Sequence, residues 1–184
     1  MDEFGASLAL RHTRGLGPRT WKRLLDRYKN AACAVAHCGS WVQDRLVSSR
    51  VQSEFSRGAW RAKAEDERRM AAEYGFSTVF FGEPEYPELL REIPDPPLFL
   101  YYLGDVSLLA RPSVAVVGSR VASRYGTGMA ESLAASLSMS GVCVVSGFAQ
   151  GIDRAAHQGA LRGVGGTIAV LGTGLDLIYP ASNA

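Results

Sequence analysis

Residues 114–118 read Val-Ala-Val-Val-Gly, residues 142–147 read Val-Cys-Val-Val-Ser-Gly, and residues 167–172 read Thr-Ile-Ala-Val-Leu-Gly. Each is a short apolar run that stops at glycine. A strand buried on both faces in a parallel sheet has this continuous rather than alternating pattern. The runs begin 28 and then 25 residues apart, close to the ~30 residues of a βαβ unit. A helix is expected between the first two runs, with Met129, Leu133 and Leu137 at four-residue steps, ending near Gly141. A second is expected from Ile152 to Arg162. Strand and helix alternating at this period argue for an α/β, Rossmann-like parallel sheet with crossover helices.

Upstream the pattern changes. Phe4–His12 reads as a helix, followed by Gly15-Leu16-Gly17-Pro18. Proline suits the first position of a helix, and Trp21, Leu24, Leu25 and Tyr28 then fall on one apolar face. Helix, Gly-Leu-Gly turn, helix is the pattern of a helix-hairpin-helix or SAM-like module. The backbone of Gly15 and Gly17 and the charge of Arg19 are candidate contacts to a nucleic-acid phosphate. The plainer reading of the same residues is a small bundle whose basic face is only solvated. Further helices are expected over Ser40–Val47 and Gln52–Tyr74. Thr78–Phe81 and Leu98–Leu103 read as strands, separated by a stretch in which five prolines forbid continuous helix. The expected division is an all-α domain over 1–75 and an α/β domain over 76–184 that includes those two strands.

Composition narrows the function. Of 184 residues, 47% are hydrophobic and 21% charged, an ordinary globular balance. No run of 18 apolar residues and no basic, apolar leader is seen. Three scattered cysteines fit a reduced, cytoplasmic setting. Cys33, His37 and Cys38 lack a fourth ligand at usable spacing, so no metal site is expected. The net charge of +2 conceals a split: residues 1–75 carry 14 Lys+Arg against 9 Asp+Glu, whereas residues 112–184 carry 4 against 3. All three lysines (Lys22, Lys29, Lys63) lie in the first part.

Ligands of such sheets bind at the carboxyl ends of the strands. Three polar, glycine-rich ends converge there: Gly118-Ser119-Arg120, Ser146–Gly151, and Gly172-Thr173-Gly174. Small residues admit a ligand to the backbone, and Arg120 adds a forked permanent charge. These features suit phosphate. A nucleoside-triphosphate loop is excluded because it requires a lysine. A dinucleotide fingerprint is absent, as is a Gly-x-Ser-x-Gly nucleophile elbow. Asp153 and His157 share a helix face, with capping and local packing expected of them. No catalytic set emerges, which favours a binding protein over an enzyme, with no cofactor.

The chain also resembles a known family. Tyr86-Pro87-Glu88-Leu89-Leu90, Asp95-Pro96-Pro97, Gly104-Asp105, Val117–Arg120, Ser146–Asp153, His157, Gly172–Pro180 and Asn183 follow the order and spacing of the DNA-processing protein A family, DprA or Smf. The resemblance implies a cytoplasmic protein that binds single-stranded DNA during natural transformation, protects the incoming strand and helps load the RecA recombinase. It implies DNA contacts at Gly118, Ser119, Arg120, Ser146, Gly147, Gly151, Gly172 and Asn183, and a homodimer in the full-length family. Two charges that relatives carry are missing: Gln150 stands where many have arginine, and Ala181 where some have lysine. The family's α/β domain runs on past position 183, so the chain reads as a truncated form of it. An alternative is a nucleotide-phosphate-binding enzyme of the lysine-decarboxylase-like Rossmann group. Its Pro-Gly-Gly-x-Gly-Thr run is absent here, and Glu131 is the one glutamate after Glu92.

Overall fold

The structure, a computed structural model, describes residues 1–181. The chain divides into two compact units, Met1–Leu103 and Gly104–Ala184.

The first unit begins with α1 (Glu3–His12). Asp2 caps it by accepting from Gly5 N at 2.8 Å. Arg68 grips the same carboxylate at 2.6 and 3.0 Å, and these bonds lower its pKa to about 2. Helix α2 (Pro18–Tyr28) follows Gly15, which sits at φ 90° where a side chain would be strained, and Gly17, which caps without a side chain. Helix α3 (Ala31–Ala36) starts at Asn30. Glu3 reaches across so that its carboxylate accepts from Ala31 N and Ala32 N at 2.7 and 2.9 Å.

Beyond α3 the expected helix over Ser40–Val47 is not formed. The chain makes turns there, Leu46 N returns to the Trp41 carbonyl, and Arg45 takes φ 55°. Trp41 is fully buried and donates its indole N–H to Ala34 O at 2.8 Å. The long helix expected over Gln52–Tyr74 is two: α4 (Ser49–Arg57) and α5 (Arg61–Glu73). Gly58 at φ 72° ends the first.

Strand β1 (Ser77–Phe80) pairs antiparallel with β2 (Phe99–Tyr102), Val79 opposite Leu100. The short helix α6 (Glu88–Glu92) lies in the connection. The expected boundary near Phe76, which assigned both strands to the α/β part, is not where the compact units part. Phe4 of α1 meets the rings of Phe80, Phe99 and Tyr101. The Tyr101 hydroxyl donates to Glu67 of α5 at 2.9 Å. Aromatic packing therefore fixes the hairpin to the helices.

The second unit is a three-stranded parallel sheet, β3 (Ser113–Ala115), β4 (Cys143–Ser146) and β5 (Thr167–Ala169), in the order β3-β4-β5. Val114 is opposite Val144, and Val145 opposite Ile168. The crossovers are α7 (Arg124–Met139) and α8 (Ile152–Ala160), so the Rossmann-like expectation is met. The helix face that packs is only in part the expected one: Leu137 packs against the core, but Met129 and Leu133 are each 52% exposed, and Ala130, Ala134, Ala135 and Ser138 are buried. Small residues win because α7 and α8 lie close. A Cβ at Gly159 of α8 would overlap the Glu131 backbone of α7. No helix among the described residues is long and apolar enough to cross a membrane.

Candidate functional site

The three glycine-rich strand ends of the second unit surround a pocket of about 220 Å³, lined by Arg120, Gly147, Ala149, Leu171, Gly172, Thr173 and Tyr179. Strand β3 delivers Arg120, β4 delivers Gly147 and Ala149, and β5 delivers Leu171 to Thr173. Parallel pairing brings these ends together.

The loops after β3 and β4 interlock. A Cβ on Gly118 would lie 2.7 Å from Ile152 Cγ1, and one on Gly151, at φ 75°, would overlap the Ser119 and Arg120 carbonyls. Ile152 N donates to Ser119 O at 3.2 Å. Gly118 and Gly151 thus set the backbone that carries Arg120. Ser119 is turned to its own loop: its hydroxyl donates to Val121 O at 2.9 Å and lies 3.1 Å from Val121 N. Arg120 is exposed and makes no hydrogen bond or ion pair among the described residues. Its charge is available to a ligand.

Ser146 departs from its expected place in the pocket wall. It is 2% exposed, and its hydroxyl donates to Val116 O at 2.7 Å, joining β4 to the chain end of β3. Asn183 lies outside the described residues. The hairpin candidates belong to the first unit. Gly15 and Gly17 form the turn before α2, and Arg19 is ion-paired with Asp95 at 3.4 Å.

Asp153 and His157 lie behind the wall. Gly151, not Asp153, is the N-cap of α8; the buried Asp153 carboxylate accepts from Ala149 N at 3.4 Å. Room for that carboxylate requires glycine at 147, where a Cβ would sit 2.8 Å from Asp153 Oδ2. The Thr167 hydroxyl donates to Val144 O at 2.8 Å. It must then accept from His157 Nδ1, 2.7 Å away. That tautomer leaves Nε2 as an acceptor, buried with no partner among the described residues. Burial pushes the imidazole pKa down, against the pull of Asp153. The ring also packs against Phe148, held at φ 60°. Both groups pack against the loop, and neither is among the residues lining the pocket.

Ala149 and Thr173 lie in strand ends the sequence brings together, whereas Leu171 and above all Tyr179 were not singled out as site residues. The available signal was an aromatic residue closing the glycine-rich segment after the third strand run. No group of three or more His, Cys, Asp or Glu able to hold a metal occurs among the described residues.

The second unit is thus a Rossmann-like sheet with an exposed arginine among glycine turns at its strand ends. The family described as DNA recombination-mediator protein A matches residues 77–184, and the chain belongs to that family. It is 50% identical over 105 residues to the protein Smf of Synechocystis, covering 55% of this chain and 26% of that one. The X-ray structure of DNA processing protein A from Streptococcus pneumoniae superimposes with a TM-score of 0.75 at 34% identity, covering 95% of this chain and 59% of that one. A structure of DNA processing protein A from Helicobacter pylori, described for its single-stranded DNA binding mode, gives 0.52 at 37% identity over 59% of this chain and 47% of that one. The chain thus spans less than two thirds of each of these relatives. The family match begins at Ser77, close to the expected start of the α/β domain, although β1 and β2 pack with the helices.

Proposed function

We propose that this chain binds single-stranded DNA through the pocket at the strand ends, as part of a protein that guards incoming strands in natural transformation and helps load RecA recombinase. It acts in the cytoplasm, and the homodimer belongs to the family's full-length members. It works by binding and not by bond chemistry. The observation that carries this reading is Arg120: an exposed, unpaired guanidinium set among glycine backbone at three converging strand ends. Family membership and the Helicobacter pylori relative's described binding mode point to the same ligand.

Arg120 supplies the phosphate contact, while Gly118 and Gly151 hold its loop and Gly147 and Gly172 let the strand approach the backbone. Ser119 and Ser146 contribute by fixing their loops, and Asn183 is assigned to the same strand contact by the family pattern. The turn at Gly15 and Gly17 offers a second, weaker contact, since Arg19 must leave Asp95 to reach a phosphate. The test is binding of a fluorescent oligo-dT at several salt concentrations. Arg120→Ala is expected to weaken binding about tenfold and to make the salt dependence shallower by about one counterion. Unchanged affinity would falsify the pocket assignment.

A further inference from the structure

Tyr179 is the one large aromatic side chain in the pocket wall, and it stands 62% exposed at the rim. Its ring is neither core nor tethered: the phenol hydroxyl makes no hydrogen bond among the described residues. The same pocket is lined by Arg120, whose guanidinium makes no hydrogen bond or ion pair among the described residues. The rest of the wall offers little that reads the edge of a base. Gly147, Ala149, Leu171 and Gly172 present backbone or apolar surface, and the Thr173 hydroxyl already donates to Leu177 O at 3.0 Å. At about 220 Å³ the pocket is smaller than the ~300–1,000 Å³ of sites that enclose a whole small-molecule ligand.

We infer that Tyr179 is a stacking platform for one unpaired base, working beside the phosphate contact of Arg120. The inference rests on the single-strand reading above and deepens it, because it says how the pocket selects its ligand. A base face is available for stacking only when the base is unpaired, so duplex DNA offers Arg120 its phosphates but offers Tyr179 nothing. Every base has such a face, and stacking on the ring does not choose among them. The site therefore prefers single strands with little dependence on sequence. Ring stacking requires the phenyl ring and not the hydroxyl.

The experiment compares two probes of equal length and charge, an oligo-dT and an oligonucleotide of abasic sites, each titrated against the full chain and its variants. Tyr179→Ala is expected to weaken oligo-dT binding about tenfold, the scale of one lost base–aromatic stack, and to leave abasic binding unchanged. Tyr179→Phe should bind both probes as the parent does. Arg120→Ala should weaken both. If Tyr179→Ala leaves oligo-dT affinity intact, or weakens both probes equally, the platform is overturned while the Arg120 site stands. If Tyr179→Phe behaves like Tyr179→Ala, the hydroxyl and not the ring is responsible, and stacking is again overturned. If Arg120→Ala affects neither probe, the pocket reading beneath the inference fails first.

Discussion

The two units reach stability by different packing. The core of Met1–Leu103 is built from large side chains: Trp41, Phe55, Trp60, Leu8, Leu10, Leu24 and Phe99. The core of the second unit is mostly alanine, with Ala130, Ala134, Ala155, Ala156 and Ala160 around Val116 and Val144. The first excludes water by volume, the second by the close approach of backbones. In the second, large apolar side chains such as Val117, Met129, Leu133 and Val170 remain outside. A unit of the first kind is broken by removing atoms. A unit of the second kind is broken by adding them.

The largest expected effect is therefore Trp41→Ala. It deletes a fully buried indole and its bond to Ala34 O, and should cost about 3–5 kcal/mol. All three tryptophans lie in the first unit, so urea unfolding followed by the remaining Trp fluorescence reports it directly. A loss below about 1 kcal/mol would mean that this core tolerates a cavity, contrary to its packing.

Next is Gly159→Ala, a single added methyl group where α8 meets the α7 backbone. Overpacking at this contact should destabilise the second unit by about 1–3 kcal/mol. Hydrogen exchange at the Val144 and Val145 amides is the readout, and unchanged protection would remove close helix approach as the organising feature.

The smallest effect is a pH dependence. The folded His157 pKa lies below its ordinary 6.5 because burial disfavours the charged ring. Its contribution is complete above pH 6.5. As pH falls below that value the unfolded chain takes up a proton that the folded ring resists, and stability declines. Exchange protection of β4 should drop between pH 6.5 and pH 5 in the parent and less so in His157→Gln. Parallel profiles would show that the imidazole is not held neutral.

The same contrast explains what the sequence made legible. The parallel strands were readable because each is an uninterrupted apolar run ended by glycine, a local signal. The helix face of α7 was misread in part because periodicity favoured Met129 and Leu133, whereas the neighbouring helix selects for small size, which is set by a distant partner. The packing of β1 and β2 against the helices was not legible for the same reason, since it depends on Phe4, some 75 residues before Phe80 in the chain, although the family match over 77–184 takes in both strands. Arg120, Gly147 and Gly172 were identified as pocket residues because strand-end position is implied by topology. Ser146 was assigned to the wall because a serine at a strand end can face either side, and only the Val116 carbonyl decides it. Tyr179 escaped because nothing local says where a residue seven positions past Gly172 returns.

The fit of Ile152 into the space at Gly118, and of Gly151 under the Ser119 and Arg120 carbonyls, has a consequence for anyone altering the site. Two loops that are separate in sequence behave as a single locus. A library that varies 118–120 against a fixed 151–152 will sample mostly backbones that cannot seat, and its apparent fitness landscape will be dominated by epistasis. Variation should be introduced in both loops at once, or confined to Arg120 and Tyr179, which line the pocket and are not among the atoms crowding Ile152 against Gly118.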